Sequence, residues 1–207
     1  MGERWTLLVV RELLCGDYRF SELMNGLPLI SRSLLSQRLK TLEEAGLIER
    51  KQTGSAVVYA LTDSGRDLAP VVMGLGAWAK RWVRRKLTSE ELDPVLLMWD
   101  VRRRLDIERL PASRTIVMFW FRDLPAKRCR YWLSAERPNV DLCLTNPGFE
   151  VALSVETTLR TMVDVWMGGR EANDAIQSGA IELKGTARLT KAFPNWLLLS
   201  TFAHLEA

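Results

Sequence analysis

The sequence holds one histidine, His204, near its end. That leaves it almost without the commonest general base and metal ligand. It has three cysteines, Cys15, Cys129 and Cys143. They are too scattered for metal-ligand spacing or a disulfide framework; they read as buried structural thiols, with redox sensing by one of them as the second reading. No apolar run reaches the roughly 18 residues that a membrane span needs, and the start lacks a signal-peptide pattern. A soluble, cytoplasmic chain is expected. Gly-x-Ser-x-Gly elbow, P-loop and dinucleotide fingerprint are all missing. The acidic pairs Glu43-Glu44 and Glu90-Glu91 fall on apparent helix surfaces. These gaps point away from an enzyme: no catalytic residue, metal or cofactor is expected.

The composition is otherwise that of a folded protein, with 47% hydrophobic and 26% charged residues. Its 207 residues suffice for one large domain or two small ones. The net charge of +4 is unevenly spread. Residues 1–87 carry 14 Lys/Arg against 9 Asp/Glu, whereas residues 88–207 carry 15 against 16. The basic excess sits in the first half, where an electrostatic partner such as DNA would be met.

Within that half, Tyr18 to Arg50 sets the pattern. Apolar residues from Phe20 through Ile48 recur at helical spacing. A short helix is expected from about Ser21, read as its N-cap, to Asn25, with Gly26 and Pro28 breaking it. Ser31 caps a longer helix that ends before Gly46. Leu34, Leu35, Leu39 and Leu42 point to a core. Arg32, Ser33, Ser36, Gln37, Lys40 and Thr41 form the opposite face, which suits phosphates and base edges in a major groove. Taken alone, that face suits a solvated helix surface equally well. Helix, turn and helix is the helix-turn-helix pattern.

Around it, residues 3–15 read as an apolar-rich helix ended by Gly16 and Asp17. Ile48 to Gln52 and Ala56 to Leu61 flank a turn at Thr53-Gly54-Ser55 and read as a two-stranded wing. Arg50, Lys51 and Gln52 can reach phosphates there, or simply serve solubility. Thr62-Asp63 then caps one long helix to about Lys86. Its apolar face of Leu68, Val71, Val72, Leu75, Trp78, Ala79 and Trp82 needs a partner, and a two-fold dimer seam is the natural one. Its basic end, Lys80, Arg81, Arg84, Arg85 and Lys86, complements the helix dipole.

These residues resemble a known family. Trp5-Thr6-Leu7-Leu8, Arg11-Glu12-Leu13-Leu14, Gly16, Arg19-Phe20-Ser21-Glu22-Leu23, Ile30-Ser31, Leu35, Arg38-Leu39, Leu42, Gly46-Leu47-Ile48 and Arg50 closely resemble the HxlR family of bacterial winged helix-turn-helix regulators. Tyr59-Ala60-Leu61-Thr62, Gly65, Leu68 and Trp78 extend the match to about residues 4–82. The resemblance implies dimeric binding of double-stranded DNA. Two departures stand out. Members usually carry a further N-terminal helix with a cysteine, so either the start lies upstream or a contact from elsewhere replaces that helix. The wing turn also lacks the proline and basic residues common in the family.

The second half changes character. Leu87 to Pro94 reads as a linker, with Thr88-x-x-Glu91 a capping box and Asp93-Pro94 a second cap before a helix to about Leu105. Arg114 to Arg122 is apolar on both faces and reads as a covered strand. Arg130 to Ala135, Val140 to Thr145 and Glu150 to Val155 read as three more, in an antiparallel meander. Thr157 to Trp166 and Arg170 to Gln177 are helical, Ile181 to Lys184 a short strand, and Ala187 to Phe193 a last helix. The run Trp166-x-Gly168-x-x-x-Ala172-x-x-Ala175-x-x-Ser178-Gly179-x-Ile181-x-Leu183-x-Gly185 and the order of elements resemble the sterol-carrier-protein type-2 fold over about residues 95–203. That resemblance implies a hydrophobic tunnel for a lipid-like ligand. Candidate lining residues are Met118, Trp120, Trp132, Met162, Trp166, Phe193 and Trp196, all of which would fill a core as readily.

The expectation is therefore an α+β chain: a winged helix-turn-helix domain with a long dimerisation helix at 1–87, a linker at 88–94, and a small antiparallel-sheet domain with helices at 95–207. Its DNA-contacting residues would be Ser31, Arg32, Ser33, Ser36, Gln37, Lys40, Arg50 and Lys51. Partners would be double-stranded DNA, a second copy of the chain and an apolar effector, with no membrane. A second reading makes it an apolar-ligand carrier whose helix-turn-helix serves only for dimerisation or protein contacts.

Overall fold

A computed structural model of the chain describes residues 2–83, 88 and 91–204. The chain divides into two compact units that part at about residue 84. The expected linker and the basic residues Arg84, Arg85 and Lys86 fall wholly or partly outside the described residues.

The first unit opens with α1, Thr6–Leu13. It is shorter than the 3–15 expected, because Trp5 takes a φ of 77°, a left-handed backbone that stops the helix extending back toward Glu3. Helix α2 spans Phe20–Gly26 with Arg19 at its N-cap, not Ser21. The Glu22 carboxylate reaches back to accept the Arg19 backbone N–H at 2.8 Å, which fixes the helix start there. Helix α3, Arg32–Glu44, begins at Ser31, whose hydroxyl accepts the Leu34 N–H at 3.2 Å. Leu35, Leu39 and Leu42 are buried with Val9, Val10, Leu13, Leu23 and Ile48. Leu34 is only half-buried.

Strands β1, Ile48–Thr53, and β2, Ala56–Leu61, pair antiparallel from Ile48↔Leu61 to Thr53↔Ala56 across a two-residue turn. Tyr18 adds a lone third rung, exchanging backbone hydrogen bonds with Tyr59 at 3.1 and 2.8 Å. That rung ties the wing to the loop ahead of α2.

The single long helix expected after the wing is two helices. Thr62 caps a short α4, Asp63–Arg66, by accepting the Gly65 N–H at 3.1 Å. Helix α5, Ala69–Trp82, then restarts with Pro70 in its first turn. A proline there has no N–H to give the Arg66 carbonyl, so the helix breaks and resumes where that donor is not needed. Gly65 lets α4 approach Leu47 closely, since a Cβ at this position would lie 2.0 Å from the Leu47 carbonyl oxygen.

The second unit starts with α6, Pro94–Arg103, capped by Asp93, whose carboxylate accepts the Val95 and Leu96 N–H groups at 2.8 and 3.1 Å. Five strands follow: β3 Thr115–Phe121, β4 Arg130–Glu136, β5 Asn139–Cys143, β6 Leu153–Thr157 and β7 Glu182–Gly185. Helices α7, Leu159–Trp166, and α8, Ala172–Gln177, lie between β6 and β7, and α9, Ala187–Ala192, comes last. The strands form one sheet in the order β5-β4-β3-β6-β7. The expected meander holds only for β3, β4 and β5. Strand β6 instead lies parallel to β3, with Phe119 opposite Val155. Residues 144–152 connect β5 to β6, and at about 3.3 Å per residue they are long enough to pass two strands roughly 4.8 Å apart. Strand β6 is buried along its whole length, as suits a strand covered on both faces.

One face of this sheet forms the main core. Val117, Phe119, Phe121, Tyr131, Leu133, Leu153 and Val155 pack there against Leu97, Met98 and Val101 of α6, Met162, Val165 and Trp166 of α7, and Phe193 and Trp196. The chain turns after α7 at Gly168, with φ +75°, where a Cβ would meet the Ala203 carbonyl oxygen at 2.3 Å. No helix among the described residues is long and apolar enough to cross a membrane.

Candidate nucleic-acid interface

Helix α3 presents two faces because its leucines recur at i, i+4 and i+7. With Leu35, Leu39 and Leu42 buried, Arg32, Ser33, Ser36, Gln37, Lys40 and Thr41 are all exposed on the other side. Ser31 is also exposed, but its hydroxyl already caps the helix and lies 3.1 Å from the Ser33 hydroxyl. Thr41 donates to the Gln37 carbonyl at 3.0 Å, so its hydroxyl is engaged within the helix.

The cations near this face are held lightly. Arg32 lies 6.0 Å from the Phe20 ring centroid. Lys40 Nζ is 3.6 Å from the Glu44 carboxylate, and Arg50 is 3.0 Å from that of Glu43. Exposed pairs of this kind contribute at most about 1 kcal/mol and are screened by salt, so a phosphate can replace either carboxylate. Arg38 differs: it is largely buried, pairs with Glu3 and donates to the Arg4 carbonyl at 3.2 Å. It holds the start of the chain against α3 and is not available to a ligand.

The wing splits the two remaining predicted contacts. Arg50 and Lys51 are successive residues of β1, so their side chains leave opposite faces of the ribbon. Arg50 turns toward α3 through Glu43 and stacks 5.6 Å from the Tyr59 ring. Lys51 turns to Asp17 and Glu49, at 3.9 and 3.3 Å. The structure thus gathers Arg50 with the α3 residues and leaves Lys51 outside that group. At the wing tip Gln52 donates its side-chain amide to the Gly54 carbonyl at 3.0 Å. Leu29, in the turn ahead of α3, is 80% exposed and is not among the contacts expected from the sequence. Its departure from the apolar spacing that ends at Leu27 and resumes at Ile30 was the available signal.

The predicted lining residues of the second unit separate too. Met162, Trp166, Phe193 and Trp196 belong to the packed core. Trp166 donates its indole N–H to Asp100 at 2.7 Å, and Phe193 and Trp196 meet edge-on at 6.0 Å. Met118, Trp120 and Trp132 lie on the opposite face of the sheet, since they alternate with core residues along β3 and β4. The seven residues therefore do not line one pocket.

The cysteines also divide. Cys129 is buried and Cys143 half-buried, but Cys15 is exposed, contrary to the expectation of buried thiols. Cys15 lines a cavity of about 410 Å³ with Leu13, Leu14, Leu61, Arg66 and Ala69. Burial, then the neighbouring Asp141 carboxylate, pushes the Cys143 thiol up from its ordinary pKa.

Comparison with known proteins bears on the first unit. A family model described as HxlR-like helix-turn-helix matches residues 1–87. The Bacillus subtilis protein named Uncharacterized HTH-type transcriptional regulator YvaP is 41% identical over 86 residues, covering 40% of this chain and 80% of that protein. HTH-type transcriptional regulator YodB of B. subtilis is 36% identical over 85 residues, covering 40% of this chain and 76% of its own. A solved structure of the reduced form of YodB aligns at 35% identity over 40% of this chain and 84% of that one, with a TM-score of 0.37.

Proposed function

This chain belongs to the HxlR-like helix-turn-helix family, and we propose that it is a dimeric transcriptional regulator adjusted by an apolar small molecule. The observation that carries the DNA-binding part is the outer face of α3. Six polar or cationic side chains stand exposed there, on a helix fixed from behind by three buried leucines. Arg32, Lys40 and Arg50 would neutralise phosphates, and Ser33, Ser36 and Gln37 would meet base edges. Leu29 would touch a sugar or a thymine methyl group. We assign the chain no catalytic role.

Dimerisation is supported by α5. Val71, Leu75, Trp78 and Trp82 are 60, 49, 56 and 62% exposed. Large apolar side chains on one helix call for a partner surface, and a second copy supplies it symmetrically. Leu75→Asp would place a carboxylate in that seam and should leave a monomer in light scattering. A Leu75→Asp variant that stays dimeric would place the interface elsewhere.

The second unit supports the effector part. The element order on which its likeness to the sterol-carrier fold rests is present, from α6 through the strands to α9. The glycines of the matching run fall at turns and close approaches, as at Gly168. A ligand there alters DNA affinity only by favouring one arrangement of the protein over another, an effect typically of 1–3 kcal/mol. The test is a titration of DNA flanking the chain's own gene, at low salt, with and without fatty acids, sterols or aromatic metabolites. DNA binding that shifts with one of them supports the proposal. Binding that ignores every bound ligand removes the effector, and no DNA binding at all leaves the carrier reading.

A further inference from the structure

The face of the sheet turned away from the main core carries one continuous row across all five strands. Register places Cys143 beside Trp132, Trp132 beside Met118, Met118 beside Ser154 and Ser154 beside Lys184. Within this row the Trp132 indole N–H and the Ser154 hydroxyl are buried and have no hydrogen-bond partner. Trp132 is 9% and Ser154 8% exposed. Buried polar groups are nearly always paired, and each one left alone costs free energy on folding. Two such groups flanking one methionine, on one face and in one row, mark a place where a polar atom is wanted.

The neighbours define its chemistry. Indole can only donate, whereas a hydroxyl can donate or accept, so the missing partner must offer an acceptor atom toward Trp132, as a carbonyl oxygen does. Met118, unbranched and deformable, lies between them in the row, and Trp120 stands half-buried on the same face. Of the charged groups alongside, Lys184 donates to the buried Glu156 carboxylate at 2.7 Å, and Arg130 lies 5.1 Å over the Trp120 ring. The two unpaired groups, an indole N–H and a hydroxyl, are themselves neutral, which suits an uncharged partner. Trp196 also has an unpaired indole N–H, but it is the single such atom in the main core among the described residues.

We propose that an uncharged, mostly apolar molecule binds over Met118 on this face, its carbonyl oxygen accepting from Trp132 with Ser154 as the second polar contact. This inference rests on the ligand-binding reading of the second unit and moves the site off the helix-covered core.

The test uses the full chain labelled with ¹⁵N, following the indole N–H signals of its eight tryptophans. Trp132→Phe, Trp166→Phe and Trp196→Phe assign the three signals that matter. The probes are 2-acetylnaphthalene and 2-ethylnaphthalene, alike in size and differing in the carbonyl. The ketone should move the Trp132 signal and bind about tenfold more tightly than the hydrocarbon. Trp132→Phe should remove most of that difference, and Ser154→Ala, a small change that leaves Met118 in place, part of it. A ketone that moves Trp166 or Trp196 instead overturns this site but leaves the effector proposal standing. If other ligands bind and neither probe does, this inference alone falls. If no apolar ligand binds, both fall.

Discussion

Tryptophan separates the two units. In the first, Trp78 and Trp82 are exposed and Trp5 is only half-buried. In the second, Trp99, Trp132, Trp166 and Trp196 are buried, and Trp120 is half-buried. The first unit builds its core from aliphatic side chains and α1, α3 and β1 packing, and leaves polar groups on the outside of α3. The second spends its aromatics on its interior. A surface that binds DNA is made of residue types that cores reject, so it stands out. A pocket for an apolar molecule is made of the same residue types as a core, and only burial, register and unpaired polar atoms tell them apart.

The largest expected effect tests which face of the sheet is the core. Phe119→Ala should destabilise by about 3–5 kcal/mol in denaturant unfolding, because its ring is fully buried among α6, α7 and Phe193. Met118→Ala, one residue away and itself half-buried on the opposite face, should cost clearly less. Equal costs would erase the distinction between the faces.

A smaller effect sharpens the picture of the first unit. Arg50→Ala should weaken DNA binding and lower its salt slope by about 1, as loss of one phosphate contact requires. Lys51→Ala, whose side chain turns to Asp17 and Glu49, should change neither by much. The reverse order would mean that the wing approaches DNA with its other face. The smallest effect compares thiols. Iodoacetamide at neutral pH should label exposed Cys15 first, and Cys143 more slowly because its raised pKa keeps it a neutral thiol. Buried Cys129 should react last, as peptide mass spectrometry would show.

Much of the first unit was legible before folding. The leucine spacing of α3, Ser31 as its cap and the Gly54 turn each have a local physical cause, so their positions follow from a few neighbouring residues. The break at Pro70 has the same kind of local cause, a residue with no N–H to donate, although the apolar spacing runs on past it. The Tyr18–Tyr59 rung was not, because one isolated pair leaves no periodicity. In the second unit, alternation along β3 predicted a strand but not which face met the helices, since Met118 and Trp120 are as apolar as Val117 and Phe119. Strand partners are likewise absent from periodicity. The expected strands left only residues 146–149 between them, whereas the structure ends β5 at Cys143 and starts β6 at Leu153, which leaves nine residues to cross the sheet.

The outer face of α3 is the centre of this account, and one measurement tests it most directly. Fluorescence anisotropy would follow binding of the full chain to a labelled duplex taken from the DNA flanking its own gene. The comparison is with a variant carrying Arg32→Ala, Gln37→Ala and Lys40→Ala, whose unchanged circular dichroism would show α3 intact. These exposed side chains carry no core packing, so folding should survive while affinity falls by roughly a hundredfold or more and the salt slope drops by about 2. Affinity and salt slope equal to those of the natural chain would contradict the assignment of that face to DNA.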